Sequence, residues 1–195
     1  KFQHTLALFM FINLLITGII VGMPYVQVKV LHFSDYYYGL TEAALSLGFI
    51  LVGIYLSARK AIRYPLLLAW KSILTIGGLV ALMGAVLWLP LSTDAFFAFF
   101  LLISLIFGGI STAVNIPMMT WVTQIVPTHY QGRIFNIVST ASQLLSPLGM
   151  VIFSLGFDYL PASLLFLLCG VIMIGVTAYW PRFYKVNILS NQLED

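Results

Sequence analysis

Five hydrogen-bonding side chains recur at helical spacing within an apolar stretch. They follow an i, i+3, i+4, i+7, i+10 pattern, which places them on one face of a helix: Asn136, Ser139, Thr140, Gln143 and Ser146. A row of amides and hydroxyls can hydrogen-bond a neighbouring helix, or it can line a cavity through which a molecule passes. We favour a cavity wall for the row as a whole, and interhelical hydrogen bonding for any single member.

Two other apolar stretches each carry a pair of polar residues. Asn13 and Thr17 lie one turn apart in the first stretch, and Thr112 and Asn115 share a face of the fourth, beside Pro117, which predicts a kink. An unpaired polar group in hydrocarbon costs several kcal/mol, so these groups should face protein or a water-filled cavity. We predict a pathway lined by Asn13, Thr17, Thr112, Asn115, Asn136, Ser139, Thr140 and Gln143.

Glu42 is the acid that falls inside a predicted membrane span. A carboxylate at the bilayer centre costs about 2.5–3.5 kcal/mol on insertion scales, which makes proton coupling one interpretation. However, Glu42 lies about one turn from the outer end of its span, near Lys29 and Asp35. We favour the second interpretation, an interfacial carboxylate that is solvated or paired with Lys29.

The composition indicates a lipid environment and gives little support to catalysis. The chain is 61% hydrophobic and 8% charged, whereas soluble domains carry about 25% charged residues. His4, His32 and His129 fall at helix ends or in loops, far in depth from Ser111, so neither an intramembrane protease nor a metal site is favoured. The sequence has no glycine-rich phosphate loop, which argues against direct use of ATP, and no basic patch, which argues against a nucleic-acid partner. We expect neither an enzyme nor a bound cofactor.

The hydrophobic runs predict an all-α integral membrane protein, because about 20 mostly apolar residues cross the hydrocarbon core as a helix. Six spans qualify, and residues 183–195 remain as a cytoplasmic tail behind a bundle formed by residues 1–182. The spans are Thr5–Val28, Gly39–Ala58, Leu66 or Ser72 to Leu89, Ala95–Val126, Ile134–Phe157 and Ala162–Trp180.

Basic residues fix the predicted orientation. Eight of them fall on one side of the six spans: Lys1, Arg59, Lys60, Arg63, Lys71, Arg133, Arg182 and Lys185. The other side holds Lys29 together with Asp35, Asp94 and Asp158. By the positive-inside rule, the side with eight basic residues is cytoplasmic, and both ends of the chain lie there.

The spans also fall into two matching triplets. Polar groups occur in the first, second, fourth and fifth spans, while the third and sixth contain almost none beyond Ser and Thr. This order predicts two three-helix repeats, with the apolar helix of each triplet on the lipid side. Within the third span, Gly77, Ala81 and Ala85 predict a face for close helix packing.

Three segments carry a resemblance to a known family. Residues 126–136, VPTHYQGRIFN, resemble the connection between the tenth and eleventh helices of major facilitator superfamily transporters. Residues 35–40, DYYYGL, followed by Gly48, resemble the outer entry into that family's eighth helix. Residues 59–63, RKAIR, resemble its cytoplasmic loop between the eighth and ninth helices, without the usual acid and glycine. The corresponding cytoplasmic loop residues are Arg59, Lys60, Arg63, Gly132 and Arg133.

The resemblance implies the C-terminal half of a twelve-helix protein, most similar to bacterial macrolide-efflux and enterobactin-exporter proteins. It further implies an alternating-access exporter in the bacterial cytoplasmic membrane, completed by an N-terminal six-helix half and driven by a proton gradient. The first, second, fourth and fifth helices of this half would line the path. A bulky lipophilic small-molecule substrate would suit Phe9, Phe49, Trp121, Met118 and Met119, although such residues more often serve packing.

Two other functions remain open at this point. A stand-alone six-helix channel or a scaffold subunit would have its native start just before Lys1, whereas the transporter half requires six further helices upstream. Because the chain begins with Lys rather than Met, we expect a preceding segment. An intramembrane protease is much less favoured, for the reason given by the histidine positions.

Overall fold

The computed structural model describes residues 2–58 and 64–184, with the side chains at 2–6, 9, 125, 138, 141, 142, 144 and 181–184 outside the description. Several residues named above therefore lie, wholly or by their side chains, outside the described part: Lys1, Phe9, Arg59, Lys60, Arg63, Arg182, Lys185 and most of the tail.

The described residues form six α-helices and one π-helical segment. The helices are α1 (Phe2–Pro24), α2 (Asp35–Ala58), α3 (Pro65–Val86), α4 (Thr93–Ile125), α5 (Thr128–Tyr159) and α6 (Ala162–Tyr184), and the π-helical segment, Tyr25–Val30, follows α1. Each predicted span lies largely within one helix. We call the end with the α1–α2, α3–α4 and α5–α6 connections the outer end, as the charge pattern predicts, and the opposite end the inner end.

Two helices differ from the sequence expectation in extent. α5 begins six residues before the predicted Ile134, directly after Pro127, whose φ of −53° and ψ of 140° precede the first turn. Its first turns are polar, so hydropathy places the start too late although the backbone is already helical. α4 continues through Pro117 as one 33-residue helix.

Five helices in the described part of the chain are long and apolar enough to cross a membrane, and α5 is the exception. Its apolar stretch is confined to Leu145–Tyr159. The half before Leu145 carries the row of amides and hydroxyls that lowers its hydropathy. This half of α5 therefore requires protein or water beside it if the helix spans a bilayer.

The packing order has the symmetry of two repeats. α1 packs against α5 and α6, α4 packs against α2 and α3, and α3 packs against α6. Each helix of the first triplet has a counterpart in the second: α1 corresponds to α4, α2 to α5 and α3 to α6. When counterparts are exchanged, the α1–α5 contact becomes the α4–α2 contact and the α1–α6 contact becomes the α4–α3 contact. The α3–α6 pair is exchanged with itself. The predicted six-helix bundle of two three-helix repeats is thereby confirmed.

α3 and α6 approach each other through glycines. A Cβ atom on Gly170 would collide with the backbone of Ala81, and one on Gly84 would lie 2.6 Å from the α6 backbone. The predicted packing face is correct for Gly77 and Ala81, but Ala85 is exposed and Gly84 takes its place. Positions four apart drift by about 40° per step around a helix, whereas an i, i+4, i+7 pattern holds one face.

An aromatic cluster closes the outer end of the α2–α4 pair. Phe33, in the α1–α2 connection, makes edge contacts with Tyr37, Phe97 and Phe100 at centroid distances of 6.0–6.2 Å. Tyr37 and Phe97 stack at 4.1 Å. The Tyr37 hydroxyl also donates a 2.9 Å hydrogen bond to Oδ1 of Asp94. The first residues of α2 and α4 are therefore fixed to each other and to the chain leaving α1.

Candidate substrate pathway

The row on α5 is exposed from Asn136 to Gln143. Asn136, Ser139, Thr140 and Gln143 all have solvent-accessible side chains on the surface of this bundle. Gln143 Nε2 donates to Ser139 Oγ at 3.0 Å, one turn earlier on the same helix. Because this bond stays within α5, these four residues present hydrogen-bonding groups outward, whereas Ser146, the fifth member of the row, is half-buried.

Of the two pathway residues predicted on α4, one is exposed and the other contacts α2. Asn115 is exposed, and its Nδ2 donates to the Ser111 carbonyl at 2.9 Å within the helix. Thr112 is half-buried, and its hydroxyl lies 3.2 Å from the Gly108 carbonyl and 3.4 Å from the Phe49 carbonyl on α2. Thr112 thus contributes to α2–α4 packing, while Asn115 is open to a ligand.

The polar residues of α1 divide in the same way. Asn13 is exposed, whereas Thr17 is 4% exposed and donates to the Asn13 carbonyl at 3.0 Å. Thr17 is held against α5, since a Cβ atom on Gly149 would lie 3.2 Å from its methyl group. Of this pair, Asn13 has the side chain that a molecule in a pathway could reach.

The register of α1 and α5 relates these two polar sets. Gly18 faces the ring of Phe153, and Gly22 faces the ring of Phe157, so the two helices run parallel at a constant offset. By this register Asn13 lies outward of Gln143 by about a turn and a half, which is about 7 Å. The exposed amides of α1 and α5 therefore occupy successive depths along one helix pair.

Lipophilic surface lies beside the polar residues on the other pair. Phe49 and Met119 are 42% and 56% exposed, whereas Trp121 is buried in the core. An apolar groove of about 310 Å³ follows the α2–α4 contact. Its walls are Gly48, Leu51, Val52, Leu105, Ile106, Gly109, Ile110 and Ala113. Of the residues suggested for a bulky substrate, Phe49 and Met119 are accessible, and the Phe9 side chain lies outside the described residues.

Glu42 lies half-buried in the second turn of α2, near the outer end. The Lys29 ammonium lies 5.2 Å from the centroid of the Tyr25 ring, an arrangement typical of a cation–π contact. Glu42 and Lys29, which both belong to the described part of the chain, form no ion pair with each other. Of the two forms of the interfacial interpretation, a solvated carboxylate therefore agrees better with the geometry than a pair with Lys29.

If the full-length protein carries out transport that depends on a pH gradient, we expect a Glu42→Gln variant to retain that dependence. A carboxylate at the outer boundary can be solvated without crossing the bilayer, so its loss should change the rate less than about twofold. Uptake or efflux in vesicles with and without an imposed pH gradient measures this directly. Loss of the gradient dependence with normal amounts of protein in the membrane would assign Glu42 to proton coupling instead.

The α4–α5 connection is closed by one side chain. Gln131 Nε2 donates to the Thr123 carbonyl at 3.0 Å and to the Val126 carbonyl at 2.9 Å, and both acceptors lie at the C-terminal end of α4. Gly132 and Arg133 follow as exposed residues within the first turns of α5. They are thus part of a helix, and Arg133 is free to meet lipid headgroups or a facing loop.

Sequence reasoning missed a fully buried pair at the outer end. Gln27 in the π-helical segment and Thr41 in α2 are 0% and 1% exposed. Gln27 lies in the predicted first span, so the rule that intramembrane amides need partners applied to it as well. A glutamine in the last turn of a span can also be solvated at the membrane surface, so its position in the sequence alone does not single it out.

Metal binding has no support in the described part of the chain, where His, Cys, Asp and Glu side chains form no group of three or more. What the geometry provides is a row of neutral amides and hydroxyls facing outward, next to accessible apolar surface. Such groups have the chemistry to hydrogen-bond a molecule and to contact its apolar parts.

A sequence profile described as Major Facilitator Superfamily matches residues 2–150. The chain belongs to the Major Facilitator Superfamily. It is also similar to an "Uncharacterized MFS-type transporter YfiS" of Bacillus subtilis (strain 168), with 38% identity over 82 residues. That match covers 41% of this chain and 18% of the relative's length. No solved structure matches the chain.

Membership of the Major Facilitator Superfamily agrees with the helical, apolar bundle and identifies a multi-pass membrane protein of a transporter family. It points to transport rather than catalysis. The sequence-level resemblance to this superfamily is confirmed, while the narrower similarity to macrolide-efflux and enterobactin-exporter proteins stays a prediction.

Proposed function

We propose that this chain is the C-terminal half of a secondary transporter that exports lipophilic small molecules by alternating access, driven by a proton gradient. An N-terminal six-helix half of the same protein completes it in a bacterial cytoplasmic membrane, with both ends of the present segment cytoplasmic. The observation that carries the proposal is the exposed row from Asn136 to Gln143 on α5.

The energetics of that row favour a partner across it. Exposed amides in hydrocarbon lose the hydrogen bonds that water would supply, and each such group costs several kcal/mol. A facing half of the same protein, with water between, removes that cost and leaves the amides available to a substrate. α2 supports the same arrangement, since only 11% of its apolar span is buried within this bundle.

The chemical class of the substrate follows from what the accessible surface offers. Phe49 and Met119 provide accessible apolar contact area for a lipophilic molecule, and the groove along the α2–α4 contact, which neither of them lines, provides more. Asn13, Asn115 and the row on α5 provide neutral hydrogen-bonding groups at several depths. A molecule with a large apolar body and a few hydrogen-bonding groups fits both kinds of surface.

The orientation is supported by charges that the structure describes. Lys71 on α3 and Arg133 on α5 are exposed and lie near the inner ends of helices that run in the same direction. Asp35 and Asp94 lie in the first turns of α2 and α4, at the outer end. The superfamily match does not favour a stand-alone channel or scaffold subunit.

Deleting the full-length gene is expected to raise the cellular accumulation of at least one lipophilic dye severalfold, and collapsing the proton gradient in the wild type should mimic the deletion. The physical reason is that efflux against a concentration gradient requires an energy source. Dye fluorescence in wild-type, deleted and complemented cells, with and without an uncoupler, measures both effects.

The uncoupler separates the parts of this proposal. Efflux that is lost on deletion but unchanged by the uncoupler would rule out proton antiport. Accumulation that falls on deletion would indicate uptake instead of export. Identical accumulation in all three strains across a broad dye panel would contradict lipophilic export itself.

A further inference from the structure

A buried hydrogen-bonding pair joins the end of α1 to α2, and its bonds are incomplete. The Thr41 hydroxyl lies 2.5 Å from Gln27 Oε1 and 2.8 Å from the Tyr38 carbonyl. Its single proton can serve only one of these acceptors. Gln27 Nε2 has no hydrogen-bond partner among the described residues. Turning the amide over would satisfy the nitrogen through Thr41 and leave the oxygen unpaired, so one end of the amide lacks a partner either way.

The backbone around Gln27 departs from an α-helix over several residues. The Leu31 N–H donates to the Val26 carbonyl at 2.8 Å, five residues back, and the Phe33 N–H donates to the Gln27 carbonyl at 2.9 Å, six residues back. His32 has a φ of 52°, a left-handed conformation that side chains other than glycine disfavour. π-Helical turns are frequent at functional sites, and residues in sparsely populated backbone conformations cluster at active sites, ligand clamps and switch regions.

The segment is anchored on both sides to different helix pairs. Before Gln27, the Tyr25 hydroxyl donates to the Phe157 carbonyl of α5 at 3.0 Å. After it, Phe33 contacts Phe97 and Phe100 of α4. The residues between these anchors thus connect the α1–α5 pair to the α2–α4 pair. A change in their backbone alters the angle between the two pairs at the outer end.

We propose that the π-helical segment Tyr25–Val30 is a hinge between the α1–α5 and α2–α4 pairs at the outer mouth of the pathway, and that the Gln27–Thr41 pair is the latch holding it in the conformation seen here. The inference rests on the proposed function, in which the outer mouth opens and closes during transport. Opening exposes the Gln27 amide to water, where its unpaired group gains a hydrogen bond. The latch therefore releases with less resistance than a fully satisfied buried pair would.

Two substitutions have opposite expected effects on the hinge. Thr41→Val leaves the buried Gln27 amide with no partner, which destabilises the latched conformation. Gln27→Leu removes the unpaired group, keeps most of the volume and leaves the Thr41 hydroxyl bonded to the Tyr38 carbonyl, which stabilises it. Hydrogen exchange of the Tyr25–Val30 backbone amides, in the full-length protein in lipid nanodiscs, should rise about tenfold for Thr41→Val and fall about three- to tenfold for Gln27→Leu.

A fully satisfied structural pair gives a different pattern. In that case each substitution removes a satisfied hydrogen bond, both raise exchange, and this result, or no change in either variant, overturns the latch and with it the hinge. Thr75→Val is the matched control, because Thr75 is an exposed threonine of α3 whose hydroxyl donates to the Lys71 carbonyl at 3.0 Å. It should leave exchange in Tyr25–Val30 unchanged. Thr41→Ser should restore the wild-type rate, and Gln27→Met replaces Gln27→Leu if the latter does not fold.

Dye export by the same variants separates failure of the hinge from failure of the proposed function. Gln27→Leu is expected to slow export, because a stabilised latch opens less often. Opposite shifts in exchange with export unchanged in both variants would refute a role at the mouth of the pathway. Export by the wild type without opposite shifts in exchange refutes the hinge alone. A wild-type protein that exports none of the dyes contradicts the proposed function on which the hinge rests.

Discussion

A Gly170→Leu variant of the full-length protein is expected to lose most of its folded population in the membrane. At Gly170 the α6 backbone touches the α3 backbone, and an added Cβ atom would collide with the Ala81 nitrogen and lie 2.6 Å from the Gly77 carbonyl oxygen. Backbone atoms cannot rotate away as a side chain can, so the helices must separate. Overpacking typically lowers the unfolding free energy by about 1–3 kcal/mol, and a clash with backbone atoms belongs at the upper end of that range.

The measurement is the amount of protein in the membrane and its thermal aggregation midpoint in detergent, followed by size-exclusion chromatography. Gly175→Leu is a matched control one and a half turns along the same helix, because nothing lies within 4 Å of a Cβ atom there. Gly78→Leu is the corresponding control on α3, next to the sensitive Gly77. A Gly170→Leu protein as abundant and as heat-stable as both controls would show that α3 and α6 are not in contact.

The glycine result also shows how far sequence periodicity reaches. The small residues of α3 predict that it packs closely against another helix, and Gly77 and Ala81 do so. Which residue completes the face depends on the angle at which the two helices cross, and a spacing of four alone selects the exposed Ala85 instead of Gly84. A pattern of small residues predicts that a helix packs closely against another helix. Which of its residues make the contact can be determined only when the partner helix is known.

The outer end of α1 marks a second limit. Hydropathy predicts the first span up to Val28, and α1 with the following segment covers it. Nothing in the residues Tyr25–Val30 distinguishes a π-helical turn from an α-helical one, because the segment contains neither glycine nor proline and its residue types occur in both kinds of turn. The pairing of Gln27 with Thr41 depends on a contact across the α1–α2 connection, in which His32 is left-handed with a φ of 52°. Histidine is enriched among the non-glycine residues of that conformation, but such residues are too uncommon for a lone histidine to predict it.

For the pathway, residue type predicts polarity but not which face meets the bundle. Asn13 and Thr17 stand one turn apart and are equally polar in sequence, yet one is exposed and the other is packed against α5. A difference of about 40° around the helix is enough to separate them. The row on α5 is better determined, because four members spread over two turns share an exposed face and fix it.

That row carries the second large effect, which falls on transport instead of folding. A variant with both Asn136→Leu and Gln143→Leu is expected to reach the membrane in normal amounts, since both side chains are exposed and Gln143 bonds only within α5 in this bundle. Export should fall about tenfold or more, because each amide withdrawn from a substrate or from pathway water removes a hydrogen bond worth about 0.5–1.5 kcal/mol. Initial efflux rates of a preloaded dye, normalised to the amount of protein, measure the effect.

Thr75→Val is again the control, since it removes an exposed hydroxyl from the outward face of α3, where the proposed pathway does not run. Accessibility tests the same claim without a substrate. Single cysteines at Asn136 and Gln143 should react with a membrane-impermeant maleimide from the inner side, and the native Cys169 should not interfere because it is buried. Reaction should slow when the protein is held open to the outside. If both positions stay unreactive in every state and the double variant exports normally, the row faces lipid or protein and α5 does not line a pathway.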